Sequence, residues 1–319
     1  MAFLFERVLF EHVLFEHVLF EQSVRARGNA MSAVAHVIDP RNHDLGGGFV
    51  VRRALPHMHA RSVGPFVFFD HFGPIDLAAG SKTDVRPHPH IGLATVTYLF
   101  DGALVHRDSL GSLQEIRPGD VNWMTAGSGI VHSERGTDYA HSHGQRLHGV
   151  QTWVALPREH EEVDPSFRHY PGATLPRADG DGHRVHVLVG RAFGVESPVE
   201  TLMPTLYAAI ELDGGATLAI DAEYPERAVY VVDGAVSLGG EPVRPTQLAV
   251  LSPGTATLRA DVPSRVMLVG GAALPEPRFM WWNFVSTSRE RIERAKDDWR
   301  AQRMGHVPGE TEFIPLPDR

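Results

Sequence analysis

From Met31 onward the chain is written as short apolar runs, each stopped within a few residues by Gly, Pro or Asp. That punctuation limits the fold more than any bulk property. Runs over 34–38, 49–53, 66–69, 94–100, 103–106, 114–116, 122–125 and 151–156 are too short for helices. Strands of this length at regular spacing predict an all-β sandwich or barrel. Asp101-Gly102 between two runs is a hairpin signal, and Pro118-Gly119 and Gly127-Ser128-Gly129 mark further turns. The pattern then recurs. Tyr98-Leu99-Phe100-Asp101-Gly102-Ala103-Leu104 is echoed by Tyr230-Val231-Val232-Asp233-Gly234-Ala235-Val236, and Pro118-Gly119-Asp120 by Pro253-Gly254-Thr255. We therefore expect two tandem barrels, with the polar stretch 158–181 as their connection.

A chain of 319 residues is long enough for two domains of ordinary size. The formal net charge is −9 with no lysine or arginine cluster, which argues against direct nucleic-acid binding. There is no cysteine, which excludes a disulfide framework and a thiolate metal site. A reducing cytoplasm is the simplest location on that ground.

Within the first half, His88 and His90 in Arg86-Pro87-His88-Pro89-His90 are spaced i, i+2, as are His132 and Glu134 in Ile130-Val131-His132-Ser133-Glu134. Side chains alternate faces along a strand, so each pair points one way. Among 19 histidines one chance His-x-His is expected, and His-Pro-His alone carries little. The second pair, set behind its own turn, changes that. Two such strands side by side would bring three imidazoles and a carboxylate to one point, with coordination positions left open. Nitrogen-rich ligation of this kind suits iron, copper, nickel or zinc. It does not suit calcium or magnesium, which prefer oxygen. A bound metal of this kind permits oxygenation chemistry, and Glu134 is the one obvious carboxylate to serve as general base.

These motifs resemble the pirin family, a branch of the cupin superfamily. The matching text is Phe69-Asp70-His71-Phe72-Gly73-Pro74, His88-Pro89-His90, Thr95-Val96-Thr97-Tyr98-Leu99-Phe100-Asp101-Gly102 and His106-Arg107-Asp108-Ser109-Leu110-Gly111. It continues through Pro118-Gly119-Asp120, Trp123-Met124-Thr125-Ala126-Gly127, Ile130-Val131-His132-Ser133-Glu134 and Gln151-Thr152-Trp153-Val154-Ala155-Leu156-Pro157. The resemblance runs from about residue 35 to about residue 310. It implies two tandem cupin barrels, with a metal-binding domain over 31–165 and a second cupin over 175–310. It also implies metal ligation by His88, His90, His132 and Glu134. The general cupin pattern has a glutamate shortly after His-x-His, whereas this chain has Ile91-Gly92-Leu93-Ala94 there. The implied cofactor is one divalent metal ion, iron(II) first, with copper, nickel, zinc or manganese as the other choices. The implied activity is that of a quercetin 2,3-dioxygenase, which cleaves a flavonol ring oxidatively with release of carbon monoxide. The rival reading is a regulatory iron protein that acts through protein partners. No membrane partner is expected, and the chain is read as a monomer.

In the second half the His-x-His position is expected near Glu223-Tyr224-Pro225-Glu226-Arg227, and no histidine follows Pro253-Gly254 until His306. That barrel should hold no metal. His71 and His106 are candidates to orient a ligand, and His141, His143 and His148 are read as loop residues. Asp70 and Asp108 are expected to satisfy turn backbone. Phe66, Phe68, Trp123 and Met124 are expected in the core or a pocket wall, and Trp281-Trp282 in the core. A helix is predicted over 288–304, with Ile292, Ala295 and Trp299 as its apolar stripe and Ser286, Thr287 or Ser288 as its cap.

Residues 1–30 repeat Leu-Phe-Glu every five positions, at Leu4, Leu9, Leu14 and Leu19. On a helix, five residues advance about 500°, so the repeats make no single stripe. On a strand an odd period flips each repeat to the other face. The glutamates interrupt any signal-peptide core. We read the segment as a disordered or duplicated extension upstream of a start at Met31. A membrane-surface or partner helix is the alternative.

Overall fold

The computed structural model describes residues 32–317, apart from 45–48 and 82–83. The five-residue repeat lies outside them. The all-β expectation is met by two barrels, each made of a seven-stranded and a four-stranded antiparallel sheet. In the first barrel the large sheet runs Ser166–Tyr170, Val121–Thr125, Leu93–Asp101, Gln145–Ala155, Phe66–Leu77, Val50–Leu55 and Arg41–Asp44. Its small sheet runs Val85–His90, Ile130–Gly136, Leu104–Asp108 and Leu113–Ile116.

The second barrel repeats this order. Its large sheet runs Val34–Ile38, Leu248–Leu251, Glu226–Asp233, Ser264–Gly271, Thr205–Leu212, His183–Val189 and Arg177–Gly180. Its small sheet runs Thr217–Ile220, Ala256–Ala260, Val236–Leu238 and Glu241–Val243. The echoed Asp-Gly turns close equivalent strands, Leu93–Asp101 and Glu226–Asp233.

The two large sheets pack against each other. Phe66 meets Tyr207 at 5.5 Å between ring centres and Phe69 meets Tyr230 at 4.6 Å. Strands here bury both faces, which is why 93–99 and 228–232 read as nearly unbroken apolar runs rather than alternating ones. One polar network crosses this interface. His71 Nδ1 lies 2.8 Å from the Tyr230 hydroxyl and His71 Nε2 lies 2.7 Å from His148 Nε2. Burial, and then the Arg52 guanidinium, push His71 down to about 2. Burial, and then Arg265, push His148 down to about 4. Both rings are therefore neutral at pH 7.

Two segments cross the boundaries expected from sequence. Val34–Ile38 pairs with Leu248–Leu251, so the first described strand belongs to the second barrel's sheet. Conversely, Phe284, Ile292, Ala295 and Trp299 from the chain's end pack on Ile91 and Val131 of the first barrel. The predicted helix forms over Arg289–Arg300 and is capped by Ser288, whose hydroxyl accepts from Arg291 N–H. Its expected stripe is buried. The stretch 158–181 is more than a connection. Ser166–Tyr170 extends the first large sheet, and Arg177–Gly180 extends the second. The carboxylate of buried Glu161 accepts from Ser286 and Thr287. Among the described residues no helix is long and apolar enough to cross a membrane.

Candidate metal centre and its cavity

His88 and His90 lie at the end of strand Val85–His90, beside Pro87 and Pro89. Proline gives no N–H to a ladder, so it is confined to strand edges. This strand is the edge of its sheet. The chain's C-terminal tail covers it, Ile314 N–H donating to the Pro87 carbonyl at 2.8 Å. The strand leaves through Gly92 at φ +68°, where a Cβ would meet the Val285 carbonyl oxygen at 2.0 Å. Only glycine allows that approach.

Val85–His90 pairs antiparallel with Ile130–Gly136, and His132 stands directly opposite His88. Ring centres are 4.4 Å apart for His88 and His132, and 5.0 Å apart for His90 with each of the other two. One donor nitrogen from each ring lies within 4.8 Å of the others, and all three residues are buried. This group could hold a metal ion. Burial pushes His88 down to about 4. Burial, and then the neighbouring imidazoles, push His90 and His132 well below the ordinary range. All three are neutral at pH 7, the state in which imidazole ligates a metal.

Hydrogen bonds outside the cluster fix the tautomers. His88 Nδ1 lies 2.9 Å from the Arg86 carbonyl oxygen and must donate to it, leaving the Nε2 lone pair free. Behind His132 stands a relay. Asp108 Oδ1 accepts from the N–H groups of Leu110 and Ser112, and Asp108 Oδ2 lies 2.9 Å from His106 Nε2. Burial works against the Asp108 charge but is outweighed by the hydrogen bonds from His106 and Ser112, which hold its carboxyl below the usual range. An ionised Asp108 makes His106 donate from Nε2, so His106 Nδ1 carries the lone pair. His132 Nδ1, 3.4 Å away, then donates to it and leaves its own Nε2 as an acceptor. His132 Nε2 and His90 Nδ1 are buried without a hydrogen-bond partner. A buried polar atom left this way costs on the order of 1–3 kcal/mol. Unpaired, neutral imidazole nitrogens converging on one point are the donor set of a divalent transition metal.

Glu134 follows His132 by two residues on the same strand, but its carboxylate lies outside the tight trio of nitrogens. Against Val85–His90 the register slips between the two residues, so Glu134 stands opposite Val85 on that strand and opposite His106 on the other. The Thr97 hydroxyl lies 3.4 Å from Glu134 Oε1 and donates more closely to Gln151 Oε1, at 2.7 Å. Burial pushes the Glu134 carboxyl up to about 7. It lines the same cavity as His88 and His90, a space of about 690 Å³ walled by Phe68, Phe72, Trp153 and Trp282. Trp153 sets its edge against His90 at 5.1 Å and stacks on Phe68 at 3.9 Å.

The other expectations divide. His106 is the buried partner of His132, whereas His71 lies in the barrel interface. His148 sits on a strand beside His71, and loop placement was wrong for it because a polar stretch hid the strand Gln145–Ala155. His141 pairs with Asp84, and exposed His143 stacks on Tyr139; neither lines the cavity. Asp108 does satisfy a turn, as expected. Asp70 does not, since it lies within a strand and takes a paired hydrogen bond from Arg53 at 2.8 Å. Trp281 and Trp282 pack against the core cluster of Ile91, Val131 and Phe284, as expected, and Trp282 also lines the cavity, at a φ of +50°. Phe68 joins the cavity wall, and Phe66, Trp123 and Met124 are core residues.

Similarity to known proteins follows the same architecture. The pirin family profile matches residues 48–154, and the pirin C-terminal cupin domain matches residues 207–305. A pirin-like protein of Caulobacter vibrioides is 51% identical over 288 residues, which is 88% of this chain and 99% of the relative. This chain belongs to the pirin family. Human pirin is 31% identical over 85% of this chain and 93% of its own length. Among solved structures, a quercetin 2,3-dioxygenase from Acinetobacter baumannii superimposes with a TM-score of 0.81 at 35% identity, covering 89% of this chain and 96% of that one. The tandem-cupin fold expected from the motifs is thereby established for this pirin.

Proposed function

We propose that this pirin is a metal-dependent dioxygenase acting on flavonol-like aromatic substrates. One divalent metal, iron(II) first, would be held by His88, His90 and His132, with Glu134 as fourth ligand or base. The observation that carries the reading is the cavity. Two of the three neutral buried imidazoles, His88 and His90, line an aromatic-walled space of about 690 Å³, and His90 and His132 carry buried ring nitrogens without a hydrogen-bond partner. A concave space with a few convergent polar groups is the form of a small-molecule site. A regulatory role through protein partners would need no such space. The likeness to the Acinetobacter dioxygenase supports the same choice.

When bound, the metal would supply a redox-active Lewis acid. The chain's own residues do the rest. The stacked Phe68–Trp153 pair, with Phe72 and Trp282, walls the space in which a planar ring system would sit beside the histidines. Glu134, held near 7 by burial, takes the substrate hydroxyl proton at its carboxylate oxygen. A base is most effective when its pKa lies near the working pH. Thr97 and Gln151 beside it restrict its orientation. The aromatic walls exclude water from the reacting face.

The test is oxygen consumption and carbon monoxide release by metal-loaded protein with a panel of flavonols. Glu134→Gln should keep most of its metal through the three imidazoles and lose about 10²–10⁴-fold in turnover, since an amide takes no proton. Unchanged cleavage by this variant would remove Glu134 as the base. No cleavage of any flavonol by fully loaded wild-type protein would sink the enzymatic reading and leave the partner-binding one.

A further inference from the structure

The cavity wall carries three arginines, of which only one is paired with a carboxylate among the described residues. Arg41, Arg53 and Arg61 all line it. The chain as a whole has a net charge of −9, so this grouping opposes the overall balance. Arg53 is accounted for by its paired hydrogen bonds to Asp70. Arg41 and Arg61 have no acidic partner among the described residues. Arg41 also stands directly across the strand pair from Arg53. Like charges in that position destabilise a sheet, and the arrangement persists without a carboxylate to bridge them. The field is felt nearby. Burial, and then Arg53, lower the pKa of His43; burial, then His59, and then Arg41 lower that of His57.

A chain of ring contacts, stacked and then edge-to-face, links the charge to the histidines. The Arg53 guanidinium lies 4.3 Å over Phe68, Phe68 stacks on Trp153, and Trp153 meets His90. A flat ligand lying along this wall has one end at the imidazoles and the other among the arginines. We propose that the cavity takes a planar hydroxyaromatic ligand bearing an anionic substituent, of the carboxylate class, at the end away from the histidines. Guanidinium groups recognise carboxylates by charge-assisted, paired hydrogen bonds. This deepens the dioxygenase reading and rests on its placement of the aromatic ligand.

The test uses metal-loaded protein without oxygen. It is titrated with 3-hydroxyflavone carrying a 4′-carboxylate and, separately, with the 4′-carboxamide, and tryptophan fluorescence is followed because Trp153 and Trp282 line the cavity. The two probes share their rings and their hydroxyl and ketone. The carboxylate should bind roughly tenfold more tightly at low salt, and the advantage should shrink in concentrated salt. Exposed Arg41 and Arg61 can be changed without disturbing the core. Arg41→Gln with Arg61→Gln should abolish the preference while the carboxamide affinity stays within about twofold. Equal affinities, or a preference that survives the double substitution, would overturn the proposal and leave flavonol turnover untouched. A carboxylate preference without oxygen consumption in air would uphold it and sink the dioxygenase reading instead.

Discussion

The two barrels share one strand order and differ in what fills them. In the first small sheet His88 stands opposite His132, and His90 opposite Ile130. In the equivalent pair of the second small sheet Leu218 stands opposite Leu258, and Ile220 opposite Ala256. All four second-barrel residues are buried in an apolar core with Val187, Val231 and Leu268. One barrel closes its interior with packed aliphatic side chains. The other leaves a cavity lined by His88, His90 and a partly neutral Glu134, with His132 behind them. The second arrangement is the less stable way to fill a barrel, because buried polar atoms without partners cost free energy that packed methyl groups do not. The first barrel tolerates it while its outer faces are covered, by the second barrel's large sheet on one side and the C-terminal helix on the other.

The most direct way to break this contrast is to give the first barrel the second barrel's side chains. His88→Leu combined with His132→Leu should reduce bound metal from one ion per chain to background, read by elemental analysis after reconstitution. The metal-free variant should melt close to metal-free wild type, since burying apolar groups of similar volume in place of the rings offsets the hydrogen bonds lost to the Arg86 carbonyl and His106. Metal retained at one equivalent would place the centre elsewhere. A steep fall in melting temperature would show that the imidazoles stabilise the fold themselves.

The converse change acts on the filled barrel. Leu258→Ala should cost about 2–5 kcal/mol in chemical unfolding, the usual range for a buried leucine. It should leave metal content unaltered. Loss of metal in this variant would mean that the second barrel's packing sets the geometry of the first across the shared interface.

What the sequence showed and hid follows the same division. The repeated Asp-Gly turns, the short strands and the capped helix were legible because each is a local signal. The histidine spacing was legible because strand periodicity alone puts His88 and His90 on one face. The second barrel's counterpart of that motif was misplaced at 223–227. Register, not nearness to Tyr230, shows it to be the strand Thr217–Ile220, whose Thr-Leu-Ala-Ile carries no histidine or carboxylate. The exchange of Val34–Ile38 and the C-terminal helix between barrels was hidden because pairing across some 200 residues leaves no local trace. Trp282 packs on the core as expected, but its second place, on the cavity wall, was hidden because composition cannot distinguish a cavity wall from a packed interior. The offset of Glu134 from the histidine trio, and the single-residue slip of register between His132 and Glu134 against Val85–His90, are features that spacing cannot show. Asp108 was legible as a turn residue, and its second role was not, because His106 and His132 are 26 residues apart and meet only through strand pairing.

That second role gives the smallest and most specific effect. Asp108→Asn keeps an oxygen for the N–H groups of Leu110 and Ser112, so the turn should survive. The new amide nitrogen would then face His106 Nε2 and can only donate to it. His106 must accept there and carry its proton on Nδ1. His132 Nδ1 becomes the acceptor, and the proton moves to His132 Nε2, the nitrogen that should face the metal. One substitution two residues from His106 would thereby turn a ligand into a donor through two rings. Metal affinity should fall by about 10–100-fold, the usual effect of removing such a support, and nitrogen NMR of the imidazoles should show the exchanged tautomer. His106→Phe should fill the space against Phe167, on which His106 stacks at 4.1 Å, and leave His132 free to choose its tautomer, with a smaller loss. If Asp108→Asn binds metal as tightly as wild type, or His106→Phe loses more, the relay does not set the protonation of His132, and Asp108 serves the turn alone.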